Sequence, residues 1–386
     1  MIEVLKVIDE TFEGVFEEIP SYNTVEDWVK KIGLDVYNTS GELLENKGYA
    51  DVIDDSMMIG NEKLLVTLAV PAKHLGHPLC HDEVSVLDMS VSTGWTGESV
   101  KAQLEKSAKK VGHQPEYVIS DNASIMNKGI RLLGVNHHHD ISHSLGMYLK
   151  RTYEQANDFQ MYVKNMADVK FKYNMTKVAY LLPPTQRTVA RFINLSNWVK
   201  WSHKMLNVYQ TFSSEEKSIF SFIPANTSLI DELSKVMHWV ESIESICKHQ
   251  GFSKDTFLQC KSQIEKHLTT GNCRMIKFGC DILNFLTMEA SLLDSNETVH
   301  NNSSDIIESV FGTYKMRKSP NKLYGVTPFV LFIPAQTQLL KSKGGKSYLI
   351  KERLERTKLK HIDDWVTENL SPNLVSIRTK KLMKTG

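Results

Sequence analysis

The sequence predicts an α/β fold in which a mixed five-stranded sheet is flanked by helices and interrupted by an all-helical insertion. Three patterns lead to this prediction. Apolar runs and helical periodicity alternate over residues 49–142 in the order β-β-β-α-β-α-β. Residues 151–300 then carry long helical patterns with few strand signals. Residues 301–318 return to a single amphipathic helix.

The first three strands are short apolar runs separated by turn-forming residues. Gly60-Asn61 follows the first run, and Gly76-His77-Pro78 follows the second. Connections this short predict an antiparallel meander. The runs are YADVID (49–54), KLLVTLAV (63–70) and EVSVLDMSV (83–91).

Two helices and two strands complete the predicted sheet. Residues 96–112 carry apolar side chains at helical spacing and end on Gly112, a common helix stop. A buried strand is predicted at 116–120, a helix closed by Gly134 at 123–134, and a fifth strand at 135–142.

The two ends of the chain differ in charge. Residues 1–51 hold 12 acidic and 4 basic residues, whereas residues 313–386 hold 16 basic and 5 acidic ones. The basic end would follow a phosphate backbone or, equally, form a solvated charged surface. Residues 20–34 resemble the last part of a helix-turn-helix, but their acidic surroundings argue against strong DNA affinity. The basic residues in question are Lys341, Lys343, Lys346, Lys351, Arg353, Arg356, Lys358, Lys360, Arg378, Lys380, Lys381 and Lys384.

Five regions follow from these patterns. They are an N-terminal helical region (1–48), the first part of the sheet domain (49–150), the helical insertion (151–300), a last helix with its following segment (301–338) and a basic tail (339–386). No apolar run approaches the roughly 18 residues of a membrane span, and the first residues do not form a signal peptide. Five cysteines without a CxxC pair fit a reducing cytoplasm and indicate neither a disulfide framework nor a four-thiolate zinc site.

Two aspartates follow buried strands that this order places side by side. Asp54 ends the first strand and Asp121 follows the fourth. Either residue alone is typical of a turn or a helix cap. Together, carboxylates at adjacent strand ends predict a site for Mg²⁺, which prefers oxygen ligands. Asp55 is the rival of Asp54, because alternation allows only one of them to point into the site, and Asp51 is a more distant alternative.

Three stretches of the chain resemble the DDE transposases, whose catalytic core is RNase H-like. The stretches are YADVIDDSMMIGNEKLL, YVISDNAS and SSDIIESVFGTYK. The resemblance assigns Asp54, Asp121 and Glu308 as the catalytic, metal-binding carboxylates and implies a five-stranded RNase H-like sheet. Asp54 and Asp121 are 67 residues apart, and Asp121 and Glu308 are 187 apart. The longer interval matches the helical insertion that bacterial insertion-sequence and hAT-like transposases carry before the last glutamate.

The resemblance also suggests accessory residues. The stretch DISH places Asp140 and His143 where hAT-like transposases have a C/D-x-x-H motif, although Asp140 would equally cap the next helix. Neighbouring histidines 137–139 invite a zinc interpretation, but on a strand at most two of them share a side.

Further candidates lie on the last helix and in the insertion. Lys315 follows Glu308 by two helical turns, and Arg317 and Lys318 extend the positive charge toward DNA phosphates. Ser304 and Asn301 stand where one transposase group has arginine and tyrosine. Trp198 and Trp201 would stack on a flipped base or, as helical residues more often do, pack in a core.

The resemblance implies a bacterial DNA transposase that cleaves transposon ends and joins them to target DNA. It would use two Mg²⁺ ions, with Mn²⁺ able to substitute, and act as a homo-oligomer in a synaptic complex within the cytoplasm, at the nucleoid. Two alternatives remain open: an RNase H-like structure-selective nuclease, and a catalytically inactive or domesticated DNA-binding derivative. No membrane partner is expected.

Overall fold

The computed structural model describes residues 2–12, 14, 16–56, 58–185, 192, 195–318, 325–337, 350–371 and 382–383 of the 386-residue chain. It contains two compact units. The sheet domain comprises Met1–His138 and Ser304–Gly386, and the helical domain comprises His139–Ser303. Within the described ranges, no helix combines the length and the apolar character needed to cross a membrane.

The sheet domain begins with two helices and then forms the sheet. Its elements, in chain order, are α1 (Ile2–Thr11), α2 (Tyr22–Thr39), β1 (Tyr49–Asp55), β2 (Lys63–Pro71), β3 (Ser85–Ser92), α3 (Gly97–Val111), β4 (Tyr117–Ser120), α4 (Ser124–Leu133) and β5 (Asn136–His139).

The helical domain follows directly on β5. Its helices are α5 (Ile141–Tyr153), α6 (Asn157–Tyr173), α7 (Leu195–Val208), α8 (Ser214–Ile219), α9 (Phe222–Ala225), α10 (Thr227–Gln250), α11 (Lys254–His267) and α12 (Cys273–Ala290). The chain then returns to the sheet domain through α13 (Asp305–Arg317), α14 (Phe332–Ala335), α15 (Ile350–Arg356) and α16 (Leu359–Asn369).

The sheet has the strand order β3-β2-β1-β4-β5. β1 pairs antiparallel with β2, and β2 pairs antiparallel with β3, so the predicted meander is present. β1 pairs in parallel with β4 on its other side. A central first strand flanked by an antiparallel second and a parallel fourth strand is the RNase H-like arrangement, and the predicted fold class is confirmed.

The two faces of the sheet are covered by different helices, because successive strand residues point to opposite sides. Ala50 and Val52 of β1 pack in one core with α2, α13, α14 and α16, and we call this side the α13 face. Ile53 of β1 packs on the opposite side with Val100 of α3 and Ile130 of α4, and we call this side the α3–α4 face.

Helices α3 and α4 begin and end as the sequence predicts. Thr96 caps α3 by accepting a hydrogen bond from the Ser99 backbone N–H at 3.2 Å. Gly112 ends α3 with φ of 99°, and Gly134 ends α4 with φ of 81°. Because side chains make such left-handed backbone unfavourable, glycine is the residue that stops both helices here.

The second half of α2 lies inside the sheet domain. Gly33 faces the backbone of Leu331, and a Cβ atom at Gly33 would overlap the Leu331 carbonyl oxygen. Tyr37 donates a hydrogen bond to Asp88 at 2.6 Å and packs edge-on against Trp365. These contacts account for the apolar side of the second half of α2 by packing in the core of the sheet domain.

The helical domain has its own core, built mainly around the 24-residue helix α10. Its start lies earlier than the predicted residue 151, because Leu145 and Leu149 of α5 are buried in this core. The chain enters and leaves the domain at neighbouring points: the Ile141 N–H donates to the Asn302 carbonyl at 2.9 Å.

Candidate active site

Asp54 and Asp121 lie next to each other at one end of the sheet. In the parallel β1–β4 pair, Asp51 is opposite Val118 and Val52 is opposite Ile119. The same register, continued two residues beyond Val52 and Ile119, sets Asp54 opposite Asp121. Neighbouring strands are about 5 Å apart, so the two backbones are separated by about that distance.

The direction of the side chains favours Asp54 over Asp55. Asp54 shares its side of β1 with Ala50 and Val52, which belong to the α13 face. Asp121 continues the alternation of Tyr117 and Ile119, which belong to the same face. Asp55 lies on the opposite side and forms an ion pair with Lys63 at 2.7 Å.

Both aspartates are partly buried and held by local hydrogen bonds. Asp54 Oδ1 accepts from the Asp55 N–H at 2.8 Å, and Asp121 Oδ1 accepts from the Ala123 N–H at 3.0 Å. Each carboxylate is thereby oriented by the backbone that follows its strand. Side chains that are oriented and still reach solvent are suited to binding a ligand that arrives from solution.

Asp51, the third aspartate of β1, is in a different environment. It is fully buried on the α3–α4 side of the strand. Burial raises the pKa of its carboxyl well above the ordinary value, which favours the neutral form. Such a residue is unsuited to binding a cation from solvent.

Glu308 lies in the first turn of α13, the helix that packs on the α13 face. Ile307, Val310 and Phe311 of this helix are buried against the sheet, whereas Glu308 is exposed. The Ser309 hydroxyl is 2.9 Å from His81 Nε2. His81 belongs to the β2–β3 connection, which leaves the sheet at the end where β1 begins.

Glu308 and Ser309 point to different flanks of α13. Successive helix residues are about 100° apart, and both residues lie outside the buried stripe of the helix. Ser309 contacts His81 at the end of the sheet where β1 begins. Asp54 and Asp121 are at the other end.

The basic residues of α13 are close to its aromatic side chains. Lys315 Nζ lies 5.5 Å from the centre of the Phe311 ring, and Arg317 Cζ lies 5.5 Å from the centre of the Phe332 ring. The Lys318 N–H donates to the Tyr314 carbonyl at 2.9 Å and ends the helix. Lys315 is two turns from Glu308 and so shares its flank.

Asp140 and His143 belong to the helical domain. Asp140 is fully buried and caps α5, where its Oδ1 accepts from the His143 N–H at 2.7 Å. The capping alternative therefore accounts for Asp140. Of the neighbouring histidines, His137 Nε2 is 2.9 Å from Ser120 Oγ, and His139 Nδ1 is 3.0 Å from Glu289 Oε1.

Trp198 and Trp201 pack within the helical domain. The Trp198 N–H donates to the Pro184 carbonyl at 2.9 Å, and the Trp201 N–H donates to the Leu181 carbonyl at 3.0 Å. Trp198 is only 7% exposed. Core packing accounts for both side chains, and base stacking stays a prediction.

Arg353 of the basic tail has a buried partner. Arg353 is 1% exposed and its Nη1 lies 2.6 Å from Asp35 Oδ2. Arg353 is therefore not available to a phosphate backbone. The predicted phosphate contacts at Lys341, Lys343, Lys346, Arg378, Lys380, Lys381 and Lys384 lie outside the described residues.

The three predicted carboxylates do not form a tight cage for one ion. In the described ranges, the one trio of His, Cys, Asp or Glu side chains with all ligand atoms within 4.8 Å is His77, Cys80 and Glu83. Sequence reasoning missed that trio, although its H-x₂-C-x₂-E spacing was visible. No protein-family model matches this chain.

Proposed function

We propose that this protein is a DDE-type DNA transposase that cleaves transposon ends and joins them to target DNA. The observation that carries the proposal is the pairing of Asp54 with Asp121 at the ends of two adjacent parallel strands, both on the α13 face. The helix packed on that face carries Glu308. A helical domain lies between Asp121 and Glu308, which favours a transposase over a plain nuclease.

The donor set fits Mg²⁺. All three candidate ligands are carboxylates, and hard divalent cations select oxygen ligands. Asp54 and Asp121 are partly exposed and Glu308 is exposed, so solvent and a DNA phosphate can reach them. Bound Mg²⁺, with Mn²⁺ as a substitute, would polarise a phosphate oxygen and make water a stronger nucleophile at neutral pH.

Each residue then has a defined task. Asp54 and Asp121 supply oxygens from a rigid sheet, and Glu308 supplies them from a helix. Two Mg²⁺ ions would draw their protein ligands from these three carboxylates. Lys315, on the flank of Glu308, would contact a DNA phosphate.

The same site would act twice. In the first reaction, water attacks a phosphorus atom at the transposon end, the P–O3′ bond breaks and a 3′-hydroxyl is released. In the second, that hydroxyl attacks a target phosphodiester, a new P–O bond forms and a target 3′-hydroxyl leaves. DNA ends and target DNA are therefore the partners, in a synaptic homo-oligomer located at the nucleoid in the cytoplasm.

Purified protein, Mg²⁺ and linear DNA carrying the sequences that flank the gene test the proposal. We expect end cleavage and joined products from the wild-type protein. Asp54→Asn, Asp121→Asn and Glu308→Gln should each lower both products by at least about 100-fold, because each removes an ionised ligand. Cleavage without joined products would indicate the nuclease alternative instead.

Asp55→Asn is the matched control. It removes a carboxylate from the same strand, one residue from Asp54, but on the opposite side. This variant should keep cleavage and joining near the wild-type level. Equal activity in Asp54→Asn and Asp55→Asn would contradict the proposal.

A further inference from the structure

The connection between β2 and β3 carries three side chains with metal-binding chemistry. His77, Cys80 and Glu83 each offer one ligand atom, and these atoms all lie within 4.8 Å of one another. His77 and Cys80 are exposed and Glu83 is partly buried. The catalytic proposal does not use any of them.

Hydrogen bonds hold two of these side chains in place. The Cys80 N–H donates to Glu83 Oε2 at 2.7 Å, so the other oxygen of Glu83 faces His77. The Cys80 thiol donates to the Pro78 carbonyl at 4.0 Å, and the Glu83 N–H donates to the Cys80 carbonyl at 3.0 Å to close a short 3₁₀ turn. The thiol and the carboxylate are therefore oriented before any ligand binds.

The ring of His77 is held in one tautomer. His77 Nδ1 is 3.0 Å from the Pro78 carbonyl oxygen, which can only accept, so Nδ1 carries the proton. In the neutral ring, Nε2 then bears a lone pair. Nε2 lies 3.5 Å from Glu83 Oε1, so two acceptors face each other.

We propose that His77, Cys80 and Glu83 bind Zn²⁺ through Nε2, the thiolate and a carboxylate oxygen. A mixed nitrogen, sulfur and oxygen set suits zinc, whereas Mg²⁺ selects oxygen ligands alone. The Nδ1–H bond to a carbonyl is the usual outer contact of a zinc-binding histidine. Three protein ligands leave a fourth, exposed position for water.

The site adjoins the helix that carries Glu308. His81 follows Cys80 directly, and its Nε2 lies 2.9 Å from the Ser309 hydroxyl of α13. Zinc would fix the connection that makes this contact. Its expected effect is to stabilise the packing of α13, independently of the DNA chemistry.

Cobalt substitution in the full chain tests the proposal. Metal-free protein is titrated with Co²⁺ under reducing conditions at about pH 8, above the ordinary pKa of histidine. We expect one equivalent to give a thiolate-to-cobalt charge-transfer band and tetrahedral visible bands, which Zn²⁺ then removes. Zn²⁺ should also raise the Tm of the metal-free protein.

Three variants and two controls make the result specific. Cys80→Ser should abolish the charge-transfer band, and His77→Ala and Glu83→Gln should weaken Co²⁺ binding at least about tenfold. Glutamine still offers an oxygen to the Cys80 N–H, so the loop is preserved. Cys273→Ser and Cys280→Ser remove other exposed thiols and should change nothing. A missing band, or a band that survives Cys80→Ser, would leave only a histidine–glutamate ion pair and overturn the proposal.

Discussion

At the scale of single residues, Asp51 places a carboxylate in the core of the sheet domain. It is fully buried, and neither carboxylate oxygen has a hydrogen-bond partner in the part of the chain that the structure describes. Two polar atoms of α3, Gln103 Oε1 and Ser107 Oγ, are also unpartnered there. A charged carboxylate in such a place is costly, so the protonated form is favoured.

The variant Asp51→Asn should therefore change stability in a pH-dependent way. The folded-state pKa of Asp51 is raised above the unfolded value of about 3.9, so the native state binds an extra proton. Wild-type stability due to this group is lost as pH rises above about 4. The free energy of unfolding of the variant minus that of the wild type should therefore increase as pH rises, by up to about 1.4 kcal/mol per pH unit.

Urea denaturation of both proteins across the acid-to-neutral range measures this difference. Asp55→Asn, which removes a partly exposed carboxylate from the same strand, is the control for a general charge effect. A difference between Asp51→Asn and the wild type that stays constant with pH would show that Asp51 is ionised in the folded protein.

At the scale of elements, α15 is attached to α2 by a buried ion pair. Arg353 Nη1 and Asp35 Oδ2 are 2.6 Å apart, and both side chains are at most 5% exposed. Arg356 Nε lies 3.5 Å from the other oxygen of Asp35. The C-terminal helices are thus part of the sheet domain's core.

Removing the arginine should be strongly destabilising. Arg353→Met leaves the Asp35 carboxylate buried without its main partner, and such changes lower the free energy of unfolding by about 3–5 kcal/mol. Adding Asp35→Leu should recover much of the loss, because the uncompensated charge is then gone. Urea denaturation gives both values.

Lys351→Met is the control on the same helix. Lys351 and Glu355 form an exposed pair at 3.9 Å, with side chains 84% and 65% exposed, so little change is expected. If Lys351→Met and Arg353→Met lowered the free energy of unfolding by similar amounts, stability would depend on α15 in general and not on the buried ion pair.

At the scale of the whole molecule, the chain forms two units with separate cores. The helical core includes large buried side chains such as Phe159, Phe220 and Phe278. Outside this core, Arg274 forms ion pairs with Asp158 and Glu232 at 2.9 and 2.8 Å. These contacts all lie within residues 139–303.

Residues 139–303 should therefore fold as an isolated fragment. We expect a helical circular-dichroism spectrum and one cooperative urea transition, since the fragment keeps its whole core. Phe278→Ala should lower the fragment's free energy of unfolding by about 3–5 kcal/mol. A fragment without a cooperative transition would show that the helical domain depends on the sheet domain.

The sequence allowed the fold to be predicted because its signals are local. Apolar runs and helix-ending glycines such as Gly112 predict the elements. Alternation along β1 predicts that only one of Asp54 and Asp55 points into the site, and the resemblance to the transposases selects Asp54. Partners distant in the chain were not predictable: Asp35 and Arg353 are 318 residues apart, and Arg353 was assigned to a phosphate-contacting set. The trio around Cys80 was missed because its convergence depends on the shape of one loop.

The hydrogen bond from Ile141 to Asn302 has a consequence for chain entropy. A flexible loop of about 160 residues costs about 2.5 kcal/mol more to close than a loop of about ten residues. Here the inserted domain brings its own ends together by folding, at 2.9 Å between the Ile141 nitrogen and the Asn302 oxygen. For the sheet domain, the folded insertion therefore has the closure entropy of a short turn. The entropic cost of joining α13, which carries Glu308, to the sheet is correspondingly lower than for a flexible loop of the same length.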